Sequence, residues 1–397
     1  MNTDHIHSEN SPPHADVAVI GGGMVGSATA LGLAQRGLNV VLVEQREPRA
    51  FDPLQPPDLR VSAINLASKE TISGLGAWEP LESMRYHKYR HLKVWEDSGV
   101  CAFSAEDIGL PELGYFIENR LVQLAMFERS KKLSNLELLF GEVISSIDLN
   151  STTRVRFDSG KELCCDWLIA ADGVRSELRD TAGIRSCGWN YAQQVLGITV
   201  KMHSDVGDTT WQQFTPEGPM ALLPMYDNHA SLIWYNSAPE VARLKALDDA
   251  ALHSAVVNAF PDSLQSFSIV GRASFPIQRM HANRYYRNNV LLIGDAAHCI
   301  NPLAGQGVNL GFKDVSILLE LVDRADPKTA LDRQKVFAEY ERRRRYDNLM
   351  MMSAMDGFYL TFSNRIWPLH QARTMGLSLA NRVQPLKNQV LKYAVGC

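Results

Sequence analysis

The amino-acid sequence predicts a mixed α/β protein, and three observations support this fold class. A hydrophobic strand, a glycine-rich turn and a helix follow one another over residues 17–37, as in a nucleotide-binding βαβ unit. Strand-like stretches separated by turn signals fill residues 186–280, as in a largely antiparallel sheet. From Gly305 onward the sequence is mostly helical. We therefore expect a Rossmann-like α/β fold with an inserted antiparallel sheet and C-terminal helices.

The first strand is expected at Val17–Ile20, and each glycine in the turn after it has its own role. Gly21 permits the tight turn, Gly23 lets the backbone approach a pyrophosphate, and Gly26 lets the helix pack close to the strand. Unpaired N–H groups at the start of that helix favour the negative charge of the pyrophosphate. The alternative is an ordinary tight turn between strand and helix. The complete βαβ context favours a dinucleotide site.

Gly37 fits the end of this first helix, and a second strand follows at Val40–Val43. The strand ends in Glu44, about 20 residues past the glycines, where an acidic side chain can bind the adenosine ribose. The same signals predict the next elements: a helix near Ser68–Leu75, strand material over 85–103, a helix from Arg120 to about Lys132 with Asn119 as its N-cap, and strands near 142–149, 154–157 and 167–171.

Two later motifs each place an aspartate beside a glycine at a strand end. The first contains Asp172 and Gly173, and the second contains Gly294 and Asp295, followed by a glycine-rich loop that opens a helix near Gly305. Either motif alone is as well explained by a structural strand-to-helix turn. Three such elements in this order favour a shared, electron-rich ligand that meets exposed backbone N–H groups.

The segment 186–280 differs from the preceding sequence in its pattern of predicted elements. Strand-like stretches lie at 195–202, 210–214, 220–225 and 230–235, and Asp227-Asn228 between the last two is a two-residue hairpin signal. This segment is expected to form the inserted sheet.

Composition excludes several classes of function. The net charge is −4, from 40 basic and 44 acidic residues, which gives no reason to expect nucleic-acid binding. The six cysteines show no metal-ligand spacing, so no metal site is expected and a reduced, cytoplasmic protein is the simplest interpretation. Residues 1–14 lack the apolar core of a signal peptide or anchor and are expected to be disordered, and no apolar run is long enough to span a bilayer.

The motifs GGGMVG (21–26), ADGVRSELR (171–179) and GDAAHCINPLAGQGVNLG (294–311) together resemble those of the flavin-dependent aromatic hydroxylases built like para-hydroxybenzoate hydroxylase. The stretches DLRVSAINLASKETISGLGAW (58–78) and TWQQFTPEGPMALLPMYDNHASLIWYN (210–236) are similar to the UbiH/UbiF-type hydroxylases of ubiquinone biosynthesis, most of all to the demethoxyubiquinol hydroxylases of the UbiF type. The resemblance extends from about Asp16 to the end of the sequence.

The resemblance implies a cofactor and residues that hold it. Bound FAD would have its pyrophosphate on Gly21, Gly23 and Gly26, and its adenosine ribose on Glu44. A larger set would bind the remainder of the cofactor: Arg60 near the flavin side, Asp172 and Gly173 in a motif that serves both FAD and the nicotinamide donor, Asp295 at the ribityl chain with Gly294 beside it, Pro302 beside the flavin ring, and the backbone of Gly305, Gly307 and Asn309 at its N1–C2=O edge. For Arg60 an ordinary surface arginine is the alternative.

The resemblance also implies the reaction. In this family NAD(P)H reduces FAD, O₂ adds to form a flavin C4a-hydroperoxide, and a polyprenyl-3-methyl-6-methoxy-1,4-benzoquinol is hydroxylated on its ring. The sequence has no second glycine-rich nucleotide fold, so NAD(P)H is expected to bind transiently. It also lacks a recognisable triad or metal constellation, so the oxygen chemistry belongs to the cofactor. Other hypotheses are another ring hydroxylation of the pathway, a flavoprotein reductase, and a non-catalytic FAD scaffold of the pathway complex.

For several residues two interpretations of their role remain open. His298 is either a base or, as is more frequent in this motif, a structural side chain. The candidate substrate contacts in the inserted sheet, each as readily explained by packing or surface exposure, are Gln212, Tyr226, His229 and Trp234.

The region from Met350 onward combines aromatic and aliphatic side chains with Arg365, Arg373, Arg382, Lys387 and Lys392. These residues indicate either helices packed on the FAD domain or a surface for the inner membrane or for other enzymes of the pathway. Nothing in the sequence indicates an oligomeric state.

The expected division of the chain is discontinuous. It comprises a tail at 1–14, an FAD-binding domain at 15–75, 104–185 and 281–345, a substrate domain at 76–103 and 186–280, and a C-terminal helical region at 346–397.

Overall fold

A computed structural model describes residues 12–149, 153–264, 266–301, 305–364 and 366–396. Its strands are β1 (His14–Ile20), β2 (Val40–Glu44), β3 (Val61–Asn65), β4 (His87–Tyr89), β5 (His91–Glu96), β6 (Gly99–Ser104), β7 (Gly114–Glu118), β8 (Leu136–Phe140), β9 (Ile144–Asp148), β10 (Thr153–Phe157), β11 (Glu162–Ala170), β12 (Ser186–Met202), β13 (Thr209–Gln213), β14 (Met220–Met225), β15 (His229–Ser237), β16 (Phe267–Ala282), β17 (Tyr286–Arg287), β18 (Val290–Leu292) and β19 (His298–Cys299). Its helices are α1 (Met24–Ala34), α2 (Leu66–Gly74), α3 (Trp78–Glu82), α4 (Asn119–Ser130), α5 (Glu177–Thr181), α6 (Ala238–Ala246), α7 (Asp249–Ala259), α8 (Gln306–Val322), α9 (Ala330–Phe362), α10 (Trp367–Arg382) and α11 (Gln384–Val395).

The first sheet carries the nucleotide-binding pattern. Its strand order is β17-β18-β11-β1-β2-β8, with β10 and β9 added beside β11. The central strand β1 is parallel to both β11 and β2, and Val17, Ala18 and Val19 are fully buried. A parallel sheet needs cover on both faces, which explains the continuous apolar sequence of this strand. The predicted βαβ unit is present as β1, α1 and β2.

The second sheet has the order β19-β16-β12-β15-β14-β13-β5-β6 and is antiparallel except between β13 and β5. The predicted hairpin turn joins β14 and β15, and Asp227 and Asn228 both have positive φ (54° and 50°), as a type I′ turn requires. A small third sheet has the order β3-β7-β4.

Some local predictions are wrong or incomplete. Asn119 is the first residue of α4 rather than its N-cap, and its side chain accepts a hydrogen bond from the Ser62 hydroxyl (2.8 Å) instead. His14, expected in the disordered tail, begins β1, whereas residues 1–11 lie outside the described residues. The helices α6 and α7 interrupt the segment that was expected to be sheet, and β8 was not expected.

Helix α10 packs against the outer edge of the second sheet. A Cβ at Gly99 of β6 would lie 2.5 Å from the carbonyl oxygen of Thr374, so only glycine allows this approach. Beside it the buried Arg373 guanidinium pairs with Glu96 of β5 (Nε–Oε2, 2.8 Å). The C-terminal helices are therefore part of the second sheet's packing. Among the described residues, no helix combines the length and apolar character needed to cross a membrane.

Candidate active site

A cavity of about 2000 Å³ separates the first sheet from the second and extends to the C-terminal helices. Most of the residues predicted to hold a cofactor line it: Gly21, Gly23, Gly26, Glu44, Arg60, Asp172, Gly173, Asp295, Gly305 and Gly307. These residues are far apart in the sequence, and the fold brings them to one wall.

The glycine turn between β1 and α1 has little room for side chains. Gly21 has a φ of +101°, and a Cβ there would lie 2.3 Å from the Ala171 carbonyl oxygen. A Cβ at Gly26 would lie 1.9 Å from the Gly21 carbonyl oxygen. A Cβ at Gly23, by contrast, would have no heavy atom within 4 Å. Gly21 and Gly26 are thus needed for the turn itself, and Gly23 leaves an open cradle at the start of α1.

Glu44, at the end of β2, binds the backbone of the glycine turn between β1 and α1. One carboxylate oxygen accepts a hydrogen bond from the Gly22 N–H (2.7 Å), and the other accepts one from the Arg46 N–H (3.1 Å). The side chain is half-buried at the cavity wall. Its position next to the glycines is the one expected of a ribose-binding carboxylate.

Asp172 follows β11 and faces the cavity from the opposite side of the turn. Its Oδ2 accepts a long hydrogen bond from the Leu178 N–H (3.4 Å), and its buried Oδ1 has no partner among the described residues. Burial raises the pKa of this carboxyl, and hydrogen bonds from Ser176 and nearby backbone N–H groups oppose the rise. A buried acceptor without a partner marks a place where a ligand donor fits.

Asp295 is presented by a short 3-10 turn, Gly294–Ala296. Its side chain is exposed into the cavity, yet its depth in the protein raises the pKa of the carboxyl. Coulombic attraction to His298 and Arg60 opposes that rise. The carboxylate is thus accessible to a ligand from the cavity.

Both ends of the Asp295 turn are held by Asp314, which is fully buried in α8. Asp314 Oδ2 accepts hydrogen bonds from the Gly294 N–H (3.1 Å) and from His298 Nε2 (2.5 Å). Its Oδ1 accepts one from Nε of the buried Arg344 (2.7 Å). Burial alone would raise the pKa of Asp314, but the charges of His298 and Arg344 hold it well below its usual range. His298 is therefore engaged structurally, as the more frequent interpretation predicts.

Arg60 lies on the loop before β3 and is exposed to the cavity, with its guanidinium 5.4 Å from the centre of the Phe275 ring. A buried ion pair holds this loop. Arg85 pairs with Glu118 (2.7 Å) and donates to the Gln55 carbonyl, while Glu118 accepts from the Asp58 N–H (2.7 Å). The loop that carries Arg60 is thus fixed at its base.

The glycine-rich loop before α8 closes the wall. Pro302 lies outside the described residues. Gly305 has a φ of +64°, and a Cβ there would lie 2.9 Å from the Ala63 Cβ. The Asn309 amide accepts hydrogen bonds from the Asn65 N–H and the Ser68 hydroxyl and donates to the Ala63 and Gly305 carbonyls. The Asn309 side chain therefore bonds within the protein and fixes the described part of the loop, where Gly305 and Gly307 line the cavity.

The four candidate substrate contacts lie in different places. Gln212 of β13 lines the cavity. Trp234 is 8% exposed and packs against Phe260 in the core on the other side of the sheet. Tyr226 and His229 flank the hairpin turn, where His229 Nδ1 contacts the Tyr226 carbonyl (3.1 Å). The structure thus brings Gln212 alone of the four to the cavity.

Comparison with known proteins identifies the family. The FAD binding domain family matches residues 14–345. The 3-demethoxyubiquinol 3-hydroxylase of Escherichia coli K12 is 41% identical over 96% of this chain and 98% of its own. The chain belongs to the FAD-dependent hydroxylases of ubiquinone biosynthesis.

Further similarities agree with this family. Ubiquinone hydroxylase UbiL of Rhodospirillum rubrum is 34% identical over 96% of this chain and 90% of its own. The crystal structure of p-nitrophenol 4-monooxygenase PnpA from Pseudomonas putida DLL-E4 superposes with a TM-score of 0.78 at 19% identity, covering 97% of this chain and 99% of that one. That likeness supports the predicted fold class.

The described residues suit the cofactor of the hydroxylase family. The open space at Gly23 leaves room for a pyrophosphate against the first N–H groups of α1. The unpartnered Asp172 oxygen and the exposed Asp295 carboxylate lie on the same cavity wall and can accept hydrogen bonds from hydroxyls. Among the described residues, no group of histidine, cysteine or acidic side chains is arranged to hold a metal ion.

Sequence reasoning missed the wall opposite the cofactor residues. That wall consists of one face of the second sheet together with side chains of α9, α10 and α11. Strand alternation in β5, β13 and β14 could have indicated which residues share a face, but the pairing of these strands is not encoded locally.

Proposed function

We propose that the protein is an FAD-dependent monooxygenase that hydroxylates the ring of a polyprenyl-3-methyl-6-methoxy-1,4-benzoquinol, with NAD(P)H as electron donor and O₂ as oxygen source. The observation that carries the proposal is a single cavity with the Gly21–Gly26 turn, Asp172 and Asp295 on one wall and the second sheet on the other. The relatives named as hydroxylases of ubiquinone or demethoxyubiquinol support the substrate class.

The residues of this chain would hold FAD along the first wall. The N–H groups at the start of α1 would bind the pyrophosphate, Glu44 the adenosine ribose and Asp295 the ribityl chain. Bound FAD supplies the redox and oxygen-activating chemistry of the reaction. The nicotinamide donor would bind transiently near Asp172 and Gly173.

The protein's own contribution is position, electrostatics and exclusion of water. Backbone N–H groups of the loop at Gly305–Asn309 would stabilise negative charge on the reduced ring. The substrate's own hydroxyl activates its ring, so no strong base is needed, which agrees with His298 being bound to Asp314 (2.5 Å). Gln212 would orient the substrate through its amide.

We also propose which segments form the FAD-binding domain and which form the substrate domain. Residues 15–75, 104–185 and 281–345 would form the FAD-binding domain, and 76–103 with 186–280 the substrate domain. The parallel pairing of β5 with β13 supports the assignment of residues 91–96 to the latter.

The proposed reaction is tested with oxygen-18. Purified protein supplied with NAD(P)H, the tailed quinol and ¹⁸O₂ is expected to give a product heavier by one labelled oxygen atom, measured by mass spectrometry. The control is the same reaction in H₂¹⁸O with ordinary O₂, where the label should be absent. NAD(P)H consumption without a heavier product would identify a reductase instead, and FAD binding without consumption would identify a scaffold.

We propose further that the protein works in the cytoplasm at the inner-membrane surface, through one apolar face of α10. On this face Leu369, Met375 and Leu379 are 42%, 71% and 63% exposed, and Val383, just after the helix, is 39% exposed. Of the basic residues in this region, Arg373 and Lys387 are buried in ion pairs with Glu96 and Asp107. Arg382 remains exposed and can meet anionic lipid.

The variant Met375→Asp/Leu379→Asp is expected to float with anionic vesicles at least about tenfold less than the parent protein, because each side chain loses on the order of 1.5–3 kcal/mol of apolar burial. The control is Leu331→Asp, since Leu331 is 69% exposed at the start of α9. If flotation is unaffected while capture of other pathway enzymes from lysate is lost, the face binds partners and the membrane proposal is wrong.

A further inference from the structure

The cavity extends well beyond the residues expected to hold the cofactor. Its volume is about 2000 Å³, and its lining continues along the second sheet to the C-terminal helices. Every strand of the second sheet from β16 to β6 contributes lining residues. Six steps between neighbouring strands, at about 4.8 Å each, give a path of about 29 Å along the sheet.

Charge divides this path into two parts. All charged residues that line the cavity come from the FAD wall, namely Glu44, Arg49, Asp58, Arg60, Arg120, Glu142, Asp172, Arg175, Glu177 and Asp295. The lining residues from the second sheet and from α9, α10 and α11 are uncharged. A ligand that fills both parts therefore meets charged groups at one end and uncharged, mostly apolar side chains at the other.

Direct cross-strand pairing shows that the apolar part is continuous. Ile233 pairs with Ala221, Ala221 with Gln212, Gln212 with Val94, and Val94 with Cys101, and all five line the cavity. In this row only Gln212 carries a strong hydrogen-bonding group. The row thus offers one polar contact followed by an apolar track towards the sheet edge at β6.

The C-terminal helices cover the far end of this track. The lining side chains there are Met351, Met355 and Phe358 of α9, Leu377 and Ala380 of α10, and Val390, Leu391 and Tyr393 of α11. Val390 and Tyr393 of α11 are 52% and 54% exposed and also line the cavity. We call the part from Val94 and Cys101 to these helices the apolar arm.

We infer that the apolar arm binds the isoprenoid tail of the substrate, with the ring held near Gln212 and the tail leaving the protein beside α11. This inference rests on the proposed function. An isoprenoid chain consists only of carbon and hydrogen and needs an uncharged, elongated site, which the arm provides. The C-terminal helices would then determine how strongly the enzyme prefers a tailed substrate over the bare ring.

The test compares two quinols with the same ring, one without a tail and one with a three-unit isoprenoid tail, in the absence of vesicles. Leu377→Asp places a charge in the arm and is expected to lower the ratio of kcat/KM for the tailed to the tailless quinol by at least about tenfold. The matched control is Leu360→Asp on α9, because Leu360 is 68% exposed and does not line the cavity. The control should keep the parent ratio.

A binding measurement separates this inference from the proposed reaction. The redox-stable tailed quinone is titrated into the FAD-loaded protein, and the change in flavin absorbance gives its dissociation constant. Weaker binding in Leu377→Asp, with parent-like binding in Leu360→Asp, supports the arm even if no hydroxylated product forms. An unchanged kcat/KM ratio and an unchanged dissociation constant in Leu377→Asp would overturn the inference, as would equal losses for both quinols.

Discussion

The variant Asp295→Ala is expected to purify as a folded protein that retains little FAD. Asp295 is exposed into the cavity and makes no hydrogen bond to another described residue that its removal would break. Loss of a charge-assisted hydrogen bond to the ribityl chain costs on the order of 1.5–3 kcal/mol, which weakens FAD binding about ten- to hundredfold. The measurement is the ratio of flavin to protein absorbance after dilution to low protein concentration.

The control for this variant is Glu70→Ala. Glu70 of α2 is exposed and does not line the cavity, so its removal should leave FAD occupancy at the parent level. Circular dichroism of both variants should show parent-like secondary structure. Full flavin occupancy in diluted Asp295→Ala would show that the ribityl assignment is wrong.

Arg344→Met is expected to lower the free energy of unfolding by about 3–5 kcal/mol, because it leaves Asp314 with one fewer cation in a fully buried site. Arg344 is 1% exposed, and its guanidinium also bonds Asn348 (2.6 Å) and Asp347. Since Asp314 holds both ends of the Asp295 turn, FAD occupancy should fall together with stability. Urea unfolding followed by circular dichroism measures the first effect, and flavin absorbance measures the second.

The neighbouring residue provides a matched control. Arg343 pairs with Glu339 and Glu320 where all three side chains are about one-third exposed, so Arg343→Met should cost no more than about 1 kcal/mol. Equal losses of unfolding free energy in the two variants would show that burial does not increase the contribution of the Arg344–Asp314 pair to stability.

The parts of the fold that sequence could predict are those specified locally. In the turn at Gly21–Gly26 the local requirements are the positive φ of Gly21 (+101°) and the close approach of Gly26 to the Gly21 carbonyl oxygen, where a Cβ would lie 1.9 Å away. The hairpin at Asp227-Asn228 is equally local, and its two positive φ angles suit these residue types. Requirements of this kind involve residues close together in the sequence, so a sequence pattern can predict them.

The second wall of the cavity could not be predicted, because it depends on pairings between distant segments. Whether Gln212 or Trp234 faces the cavity depends on strand register, and a shift of one residue reverses every side chain. Likewise, Arg373 has the composition of a surface cation, yet its partner Glu96 lies 277 residues earlier in the chain. Burial of that pair follows from how α10 packs on β5 and β6, which no local pattern specifies.

The Asn65 amide has a consequence for synthesis on the ribosome. Its Oδ1 begins α2 by accepting from the Ser68 N–H (2.9 Å), while its Nδ2 donates to the Ala394 carbonyl in α11 (3.3 Å). These two partners are separated by more than 300 residues, so at 5–20 residues per second the second is translated about 16–65 s after the first. Strands β11 and β18 of the first sheet are translated within the same interval, so neither that sheet nor this amide contact can be complete at its start. The contact between α2 and α11 can thus form only after α11 has been translated, late in the synthesis of each molecule.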